Sequence, residues 1–260
     1  MKILAFNCSP RMKKSNTDRI LDPLLAGANK AGADVEKLYA RKIGLKPCLG
    51  CFDCWLKTPG VCAQKDEWAF VLGKMAEADL IVYATPVYAF NMTVYMKTLF
   101  DRIGMLAIQP YSMMTDDGYV HPARYPEVKK KAVLVANALA WGDDVFSILV
   151  DNLETAVSRA VDGEGKPVME LVGKILVGCG ELMGWEETPQ LALQPFYEAL
   201  ENAGKELARD GGLSRASEEK FSVPLWEYLG VKPAEVLDMI NAHFHGILER
   251  DSGRAAAANG

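Results

Sequence analysis

The sequence predicts an α/β protein whose core is a doubly wound parallel sheet. Two observations carry this. Short apolar stretches of strand length alternate with amphipathic stretches of helical period, and the clearest strand, LIVYATPVY (residues 80–88), is apolar on both faces, as a central parallel strand must be once helices cover both sides. Right-handed crossovers then place helices above and below the sheet. The chain has 260 residues, half of them hydrophobic, which is enough to bury one large core without staples.

The elements follow in order. KILAFNC (2–8) is short, apolar and bounded by Ser-Pro, so it reads as a buried strand. Residues 15–33 place Ile20, Leu21, Leu24, Leu25 and Ala28 at helical spacing, with capping candidates at Ser15, Asn16 and Thr17 and with Gly32 near the end. DVEKLYA (34–40) is the second strand. A cysteine-rich loop over 46–62 precedes a helix from about residue 66 that carries Trp68, Val71, Leu72 and Met75 on one side. After the strand at 80–88 comes a helix over 92–104, then an insert at 108–130, rich in Pro, Asp and Tyr, read as a long loop or small subdomain. KAVLVANALA (131–140) is the fourth strand, followed by helices over 145–160 and 167–183. The fifth strand is placed at 186–193 rather than at the rival ILVGC (175–179), because Gly184 ends the preceding helical pattern. Residues 1–195 thus form the main domain. Helical stretches at 196–209 and 233–249 make a C-terminal extension (196–250) packed on it, and 251–260 is read as a flexible tail.

The N-terminal apolar stretch is too short for a signal peptide and no run approaches membrane-spanning length, so a cytoplasmic protein is expected. The net charge of -5, with no basic run longer than the three lysines at 129–131, speaks against a nucleic-acid partner. Thiols are normally reduced in that compartment, so six cysteines suggest metal or redox chemistry rather than a disulfide framework.

Ligands of an open parallel sheet bind beyond the carboxyl ends of its strands, so the loops after strands one, three and four are the places to look. The first, NCSPRMKKSNT (7–17), offers hydroxyls at Ser9, Ser15 and Thr17, the Asn16 amide, the Arg11 guanidinium and the free N–H groups of a helix start, a set suited to phosphate. It contains neither dinucleotide fingerprint nor Walker loop, and the same residues would serve an ordinary capped turn. The third, TPVYAFNMT (85–93), presents an aromatic wall and backbone N–H groups to a flat heterocycle; alternatively Tyr88 and Phe90 are core. Four cysteines, Cys48, Cys51, Cys54 and Cys62, are spaced C-x2-C-x2-C-x7-C. Such spacing suits a four-thiolate shell around an iron-sulfur cluster or zinc, and consecutive x2 gaps favour iron-sulfur. The other reading is a structural turn or a redox-sensitive thiol group. Cys179 reads as core, His243 and His245 diverge on a helix, and Lys97, Asp101 and Arg102 read as helix-surface ion pairing or as support for the third loop.

Taken together, CSPR-x3-SNT after the first strand and TPVYAFNMTVYMKTLFDRI after the third resemble the FMN-binding pattern of the NAD(P)H-dependent FMN reductase group of flavodoxin-like proteins, and the cysteine loop resembles that of its iron-sulfur flavoprotein branch. The resemblance covers roughly the first 180 to 200 residues. It implies a five-stranded sheet in the order 2-1-3-4-5. It also implies FMN, with Ser9, Arg11, Ser15, Asn16 and Thr17 holding the phosphate and Pro86, Val87, Tyr88, Ala89, Phe90 and Asn91 lying along the isoalloxazine. Ala138, Trp141 and Gly142, in the loop 137–142, would close the other side of the ring. A [4Fe-4S] cluster would rest on Cys48, Cys51, Cys54 and Cys62, with Gly50 and Gly60 admitting backbone to the sulfurs and Phe52 and Trp55 as shields. Two departures stand out: Cys8 where small residues are common, and the bulky Trp141 in a loop often rich in glycine.

The function implied is an FMN-dependent oxidoreductase. It would relay electrons from a ferredoxin-like donor through the cluster to FMN and on to a small-molecule acceptor, with no side-chain acid or base. The alternatives are a cluster-free NAD(P)H-dependent FMN or quinone reductase and a non-catalytic flavin-binding redox sensor. The resemblance implies a homodimer or homotetramer.

Overall fold

The structure, a computed structural model, describes residues 1–115 and 118–258, of which 250–258 by backbone alone. Its strands are β1 (Lys2–Asn7), β2 (Asp34–Tyr39), β3 (Leu80–Pro86), β4 (Met113–Thr115), β5 (Gly118–Pro122), β6 (Lys130–Asn137), β7 (Ala160–Val161) and β8 (Met169–Val177). Its helices are α1 (Asn16–Lys30), α2 (Ala40–Ile43), α3 (Asp53–Leu56), α4 (Trp68–Glu77), α5 (Val94–Ala107), α6 (Asp143–Ser158), α7 (Gln194–Asp210), α8 (Arg215–Glu219), α9 (Leu225–Tyr228) and α10 (Pro233–Ala258).

Five strands form one parallel sheet in the order β2-β1-β3-β6-β8, which is 2-1-3-4-5 when only its own strands are counted. Its centre is β3, all seven of whose residues are buried, with Val82 set between Ala5 and Val133. Alternation along the strands splits the apolar side chains between two cores. Ile3, Ala5, Val82, Val133 and Ile175 face α1 and α7, while Leu4, Phe6, Ile81, Tyr83 and Leu134 face α4, α5 and α6. No described helix is long and apolar enough to cross a membrane.

The fifth strand corrects the sequence reading. It is β8, overlapping the rejected ILVGC segment, and no helix spans 167–183. Gly173, which faces Leu213, and Ile175 and Val177 are the buried residues of the strand, a period of two that a short apolar run does not separate from a buried helix. The expected strand at 186–193 is instead a 3-10 turn, Gln190–Leu193. The insert forms the hairpin β4–β5, which joins β7 in a second, three-stranded sheet; Asp116 and Asp117 lie outside the described residues. At the C-terminus α10 continues as backbone helix to Ala258, past the expected end at 249, and 259–260 lie outside the described residues.

α7 packs directly on α1 at a crossing that only glycine permits. A Cβ at Gly27 would fall 1.9 Å from the Glu201 carbonyl oxygen, and one at Gly204 would fall 1.8 Å from that of Leu24. Gly204→Ala is therefore expected to lower stability by about 1–3 kcal/mol or more through overpacking. Gly73→Ala, on α4 with open space around it, should raise stability by about 0.5–1 kcal/mol. Urea midpoints of the two variants check this, and equal midpoints would show the crossing to be loose.

Candidate functional site

Among the described residues, nine of the twelve buried polar or charged ones sit at the carboxyl edge of the sheet: Asn7, Ser9, Ser15, Asn16, Thr17, Asp18, Thr85, Thr93 and Asn137. Burying such groups costs free energy unless each is hydrogen-bonded, so their concentration marks a built region. The bonds draw three loops together. The Asn137 carbonyl accepts from the Val87 N–H at 2.8 Å, and its Nδ2 donates to Thr17 Oγ1 at 2.8 Å. Thr93 Oγ1 donates to the Cys8 carbonyl at 2.7 Å. Asn7 donates to Asp18 and accepts from the Ser9 N–H, both at 2.9 Å.

The loop after β1 ends in a capped helix. Ser15 Oγ accepts from the Asp18 N–H at 3.0 Å and donates to the Met12 carbonyl at 2.6 Å, while Ser9 Oγ accepts from the Arg11 N–H at 3.3 Å. The first turn of α1 presents N–H groups that no helix satisfies internally, at the positive end of its dipole. A carboxylate of the chain itself already stands beside it. Arg11 grips Glu181 with both terminal nitrogens, at 2.8 and 3.3 Å, and Asn16 Nδ2 donates to the same carboxylate at 2.8 Å. Glu181 was not singled out in the sequence, and this donor set holds an anion.

The loop after β3 is strained and open. Tyr88 and Asn91 exchange both backbone hydrogen bonds, at 2.9 and 3.0 Å, around a two-residue turn in which Ala89 and Phe90 have φ of 50° and 61°. Two consecutive non-glycine residues in the left-handed region cost free energy that the surroundings must supply, and such strain gathers at functional sites. Tyr88 and Phe90 are 49% and 55% exposed, so neither is core. Trp141 departs from the group: its indole packs on Trp226 of α9, ring centres 6.4 Å apart, and its Cβ lies where any side chain at Gly178 would clash. The backbone of Ala138 is fixed by Val177 and Gly180, and Gly142 turns the chain into α6 with φ of 110°.

The cysteine loop lies elsewhere on the molecule. It is attached to the far half of α5 and to the insert: Trp55 Nε1 donates to the Met105 carbonyl at 2.5 Å and Arg124 to that of Cys54 at 3.4 Å. Met105 is roughly 16 Å along α5 from Val94, at 1.5 Å per residue. Gly50, Phe52 and Gly60 take left-handed backbone, and Phe52 packs on Trp55, ring centres 5.3 Å apart. All six cysteines are free. Burial pushes the Cys54 thiol up, and Cys62, Cys48 and Cys51 push it the same way, so each of the three is within electrostatic reach of Cys54. Among the described residues no three Cys, His or acidic side chains are gathered tightly enough for a single ion.

Both ends of that loop are pinned by one buried ion pair. Arg102, 1% exposed, pairs with Asp66, 5% exposed, and Arg102 and Asp66 bond the Lys46 carbonyl and N–H at 3.3 and 3.0 Å. Arg102 is thus no surface residue, whereas Lys97 and Asp101 do form the expected surface pair. Cys179 is buried core, and His243 stacks on Trp185 at 4.2 Å.

Two measurements follow. Ala89→Gly should raise stability by about 1 kcal/mol by relieving the left-handed backbone, read as a higher urea midpoint. Asp66→Asn should cost about 3–5 kcal/mol by leaving Arg102 unpaired. Burial works to raise the Asp66 pKa, but hydrogen bonds from Arg102 and Lys46 hold it below the ordinary 3.8. Its contribution is therefore complete above that value and fades as pH falls through the lower folded pKa, so the gap between wild type and Asp66→Asn should close below about pH 4.

Comparison with known proteins comes at three levels. Residues 1–144 match the family described as NADPH-dependent FMN reductase. An iron-sulfur flavoprotein of Archaeoglobus fulgidus is 41% identical over 113 residues, 44% of this chain and 54% of that protein. One from Methanocaldococcus jannaschii is 33% identical over 211 residues, 80% of this chain and 96% of that protein. For several such relatives the chain thus spans about half their length. Among solved structures, an NAD(P)H:quinone oxidoreductase from Methanothermobacter marburgensis aligns with a TM-score of 0.55 at 14% identity, over 80% of this chain and 96% of that one, a likeness of fold. On these matches the chain belongs to the NAD(P)H-dependent FMN reductase and iron-sulfur flavoprotein family.

Proposed function

We propose that the protein is an FMN-dependent oxidoreductase that relays electrons through a [4Fe-4S] cluster on Cys48, Cys51, Cys54 and Cys62 to FMN and then to a small-molecule acceptor. The observation that carries the flavin half is the Glu181 carboxylate seated on Arg11 and Asn16 beside α1, at the same sheet edge as an exposed, strained aromatic turn. Bound FMN would supply the redox chemistry, exchanging one or two electrons. The chain's own residues do the holding. Ser9, Arg11, Ser15, Asn16 and Thr17 surround the helix end where a phosphate would replace the Glu181 carboxylate. Pro86, Val87, Tyr88, Ala89, Phe90 and Asn91 offer a platform to the ring, with the N–H groups of Ala89 and Phe90, which the turn does not use, turned to its edge. Ala138 and Gly142 border it through their backbone, and Trp141 stiffens that border from behind.

The cluster half rests on the spacing of four cysteines, three of which act electrostatically on the fourth, Cys54, in a loop with tight left-handed turns, and on the names of the relatives. The cysteine loop sits at the opposite end of α5 from the aromatic turn, so a homodimer or homotetramer that brings one copy's loop to another's flavin fits the geometry. A ferredoxin-like protein is the donor on this reading. The second reading, a cluster-free reductase of FMN or quinones fed by NAD(P)H, is favoured by the open faces of Tyr88 and Phe90, which leave room for a nicotinamide.

The test is iron and acid-labile sulfide per FMN on protein purified without oxygen. About four irons per flavin, lost in Cys54→Ser, is the expected result. Flavin without iron, bleached by NAD(P)H, would establish the second reading instead. Glu181→Gln should tighten FMN by about three- to fivefold, the worth of a surface ion pair of up to ~1 kcal/mol, and leave riboflavin unchanged. Flavin fluorescence titration of the apoprotein measures both, and weaker FMN binding would show that Glu181 instead holds Arg11 in place.

A further inference from the structure

Arg102 is buried with most of its hydrogen-bonding capacity unused. Nη1 serves Asp66 and the Lys46 carbonyl, whereas Nε and Nη2, both inaccessible to water, have no hydrogen-bond partner. Its guanidinium lies over Trp68, with Cζ 4.9 Å from the ring centre. Burial works against its charge, and Asp66 together with the nearby sulfur of Cys62 overcomes that. Nε and Nη2 carry three N–H donors between them. Unsatisfied buried donors of this kind are expensive, and native structures keep them where something else is to be bound. A guanidinium favours an anionic partner, and the Cys62 sulfur brings the cysteine loop beside it.

We propose that Arg102 is a positioning residue for the iron-sulfur cluster, its Nε and Nη2 donating to the Cys62 sulfur and to cluster sulfide. The inference rests on the cluster reading above. Four thiolates and sulfide make an anionic group, and reduction by one electron adds a further negative charge to it. A fixed cation in contact favours the more negative, reduced form and so raises the reduction potential; a buried site magnifies the effect because water does not screen it. Asp66 keeps the guanidinium in place and offsets part of its charge, and the same pair fastens both ends of the cysteine loop.

The test is a dithionite titration of the anaerobically reconstituted holoprotein with redox mediators, following the cluster by EPR and FMN by its visible absorbance. Arg102→Gln is expected to lower the cluster potential by about 59 mV, a tenfold change in the one-electron equilibrium constant. Arg102→Lys should restore part of the loss, and the FMN potentials and the iron content should hold steady. Should Arg102→Gln fail to fold, wild type and Arg102→Lys labelled with 15N-arginine provide the second reading, since pulsed EPR of the reduced cluster should detect in wild type a nitrogen coupling that Arg102→Lys loses, over any contribution of Arg124 common to both. A cluster potential that does not move, or in that second experiment no coupling in wild type beyond that in Arg102→Lys, would overturn the role of Arg102 and leave the cluster standing. Wild type that takes up neither iron nor sulfide on reconstitution would overturn the cluster reading and this inference with it.

Discussion

Asn137 is the clamp on which the carboxyl edge depends. Its position at the end of β6 is set by the sheet register, and from there its carbonyl holds the β3 loop through Val87 while its amide holds α1 through Thr17. Both bonds are buried, where an unpaired group costs about 1–3 kcal/mol. The strained turn at Ala89 and Phe90 persists because the chain enters it from a strand so fixed and leaves it through Thr93, which is itself bonded to Cys8 and caps α5. A parallel sheet alone would bring three loops to one edge; this set of bonds gives them a definite shape.

The same helix, α5, connects that edge to the cysteine loop. It starts one residue after the Thr93 cap and its far half carries Arg102 and Met105, to which the cysteine loop is fastened. The two regions that bear chemistry are therefore rigidly spaced. Charge is balanced locally at each: Glu181 faces Arg11 at one end, Asp66 faces Arg102 at the other.

Most of the fold was legible in the sequence because alternation and helical spacing are local properties. Residues 2–8, 34–40, 80–88 and 131–140 all carry strands, and Ser15 caps α1 as its position suggests. MELVGKILV failed because an apolar run interrupted by Gly173 and Lys174 satisfies both periods, and the strand partner that decides between them, β6, is distant in sequence. Glu181 left no local trace: its contacts with Arg11 and Asn16 reach across 170 and 165 residues. Arg102 was misplaced because Lys97 and Asp101 beside it do form a surface pair, while the Asp66 that buries it lies in another element. Asn7 and Asn137 follow one rule, since each ends an apolar strand with a buried amide.

The glycine crossing of α1 and α7 bears on how the protein is made. α1 is finished at Lys30, yet the helix that covers it begins at Gln194, and Leu24 and Ala28 rest in a core completed by Phe196, Leu200 and Ala203. At about 5–20 residues per second a ribosome needs roughly 8–33 s to span that interval. Only at its end, once β8 is made, does the nascent chain hold all five strands of the sheet, with α1 still lacking the helix that packs on it. The α1 side of the core therefore closes late in synthesis, once α7 has been made.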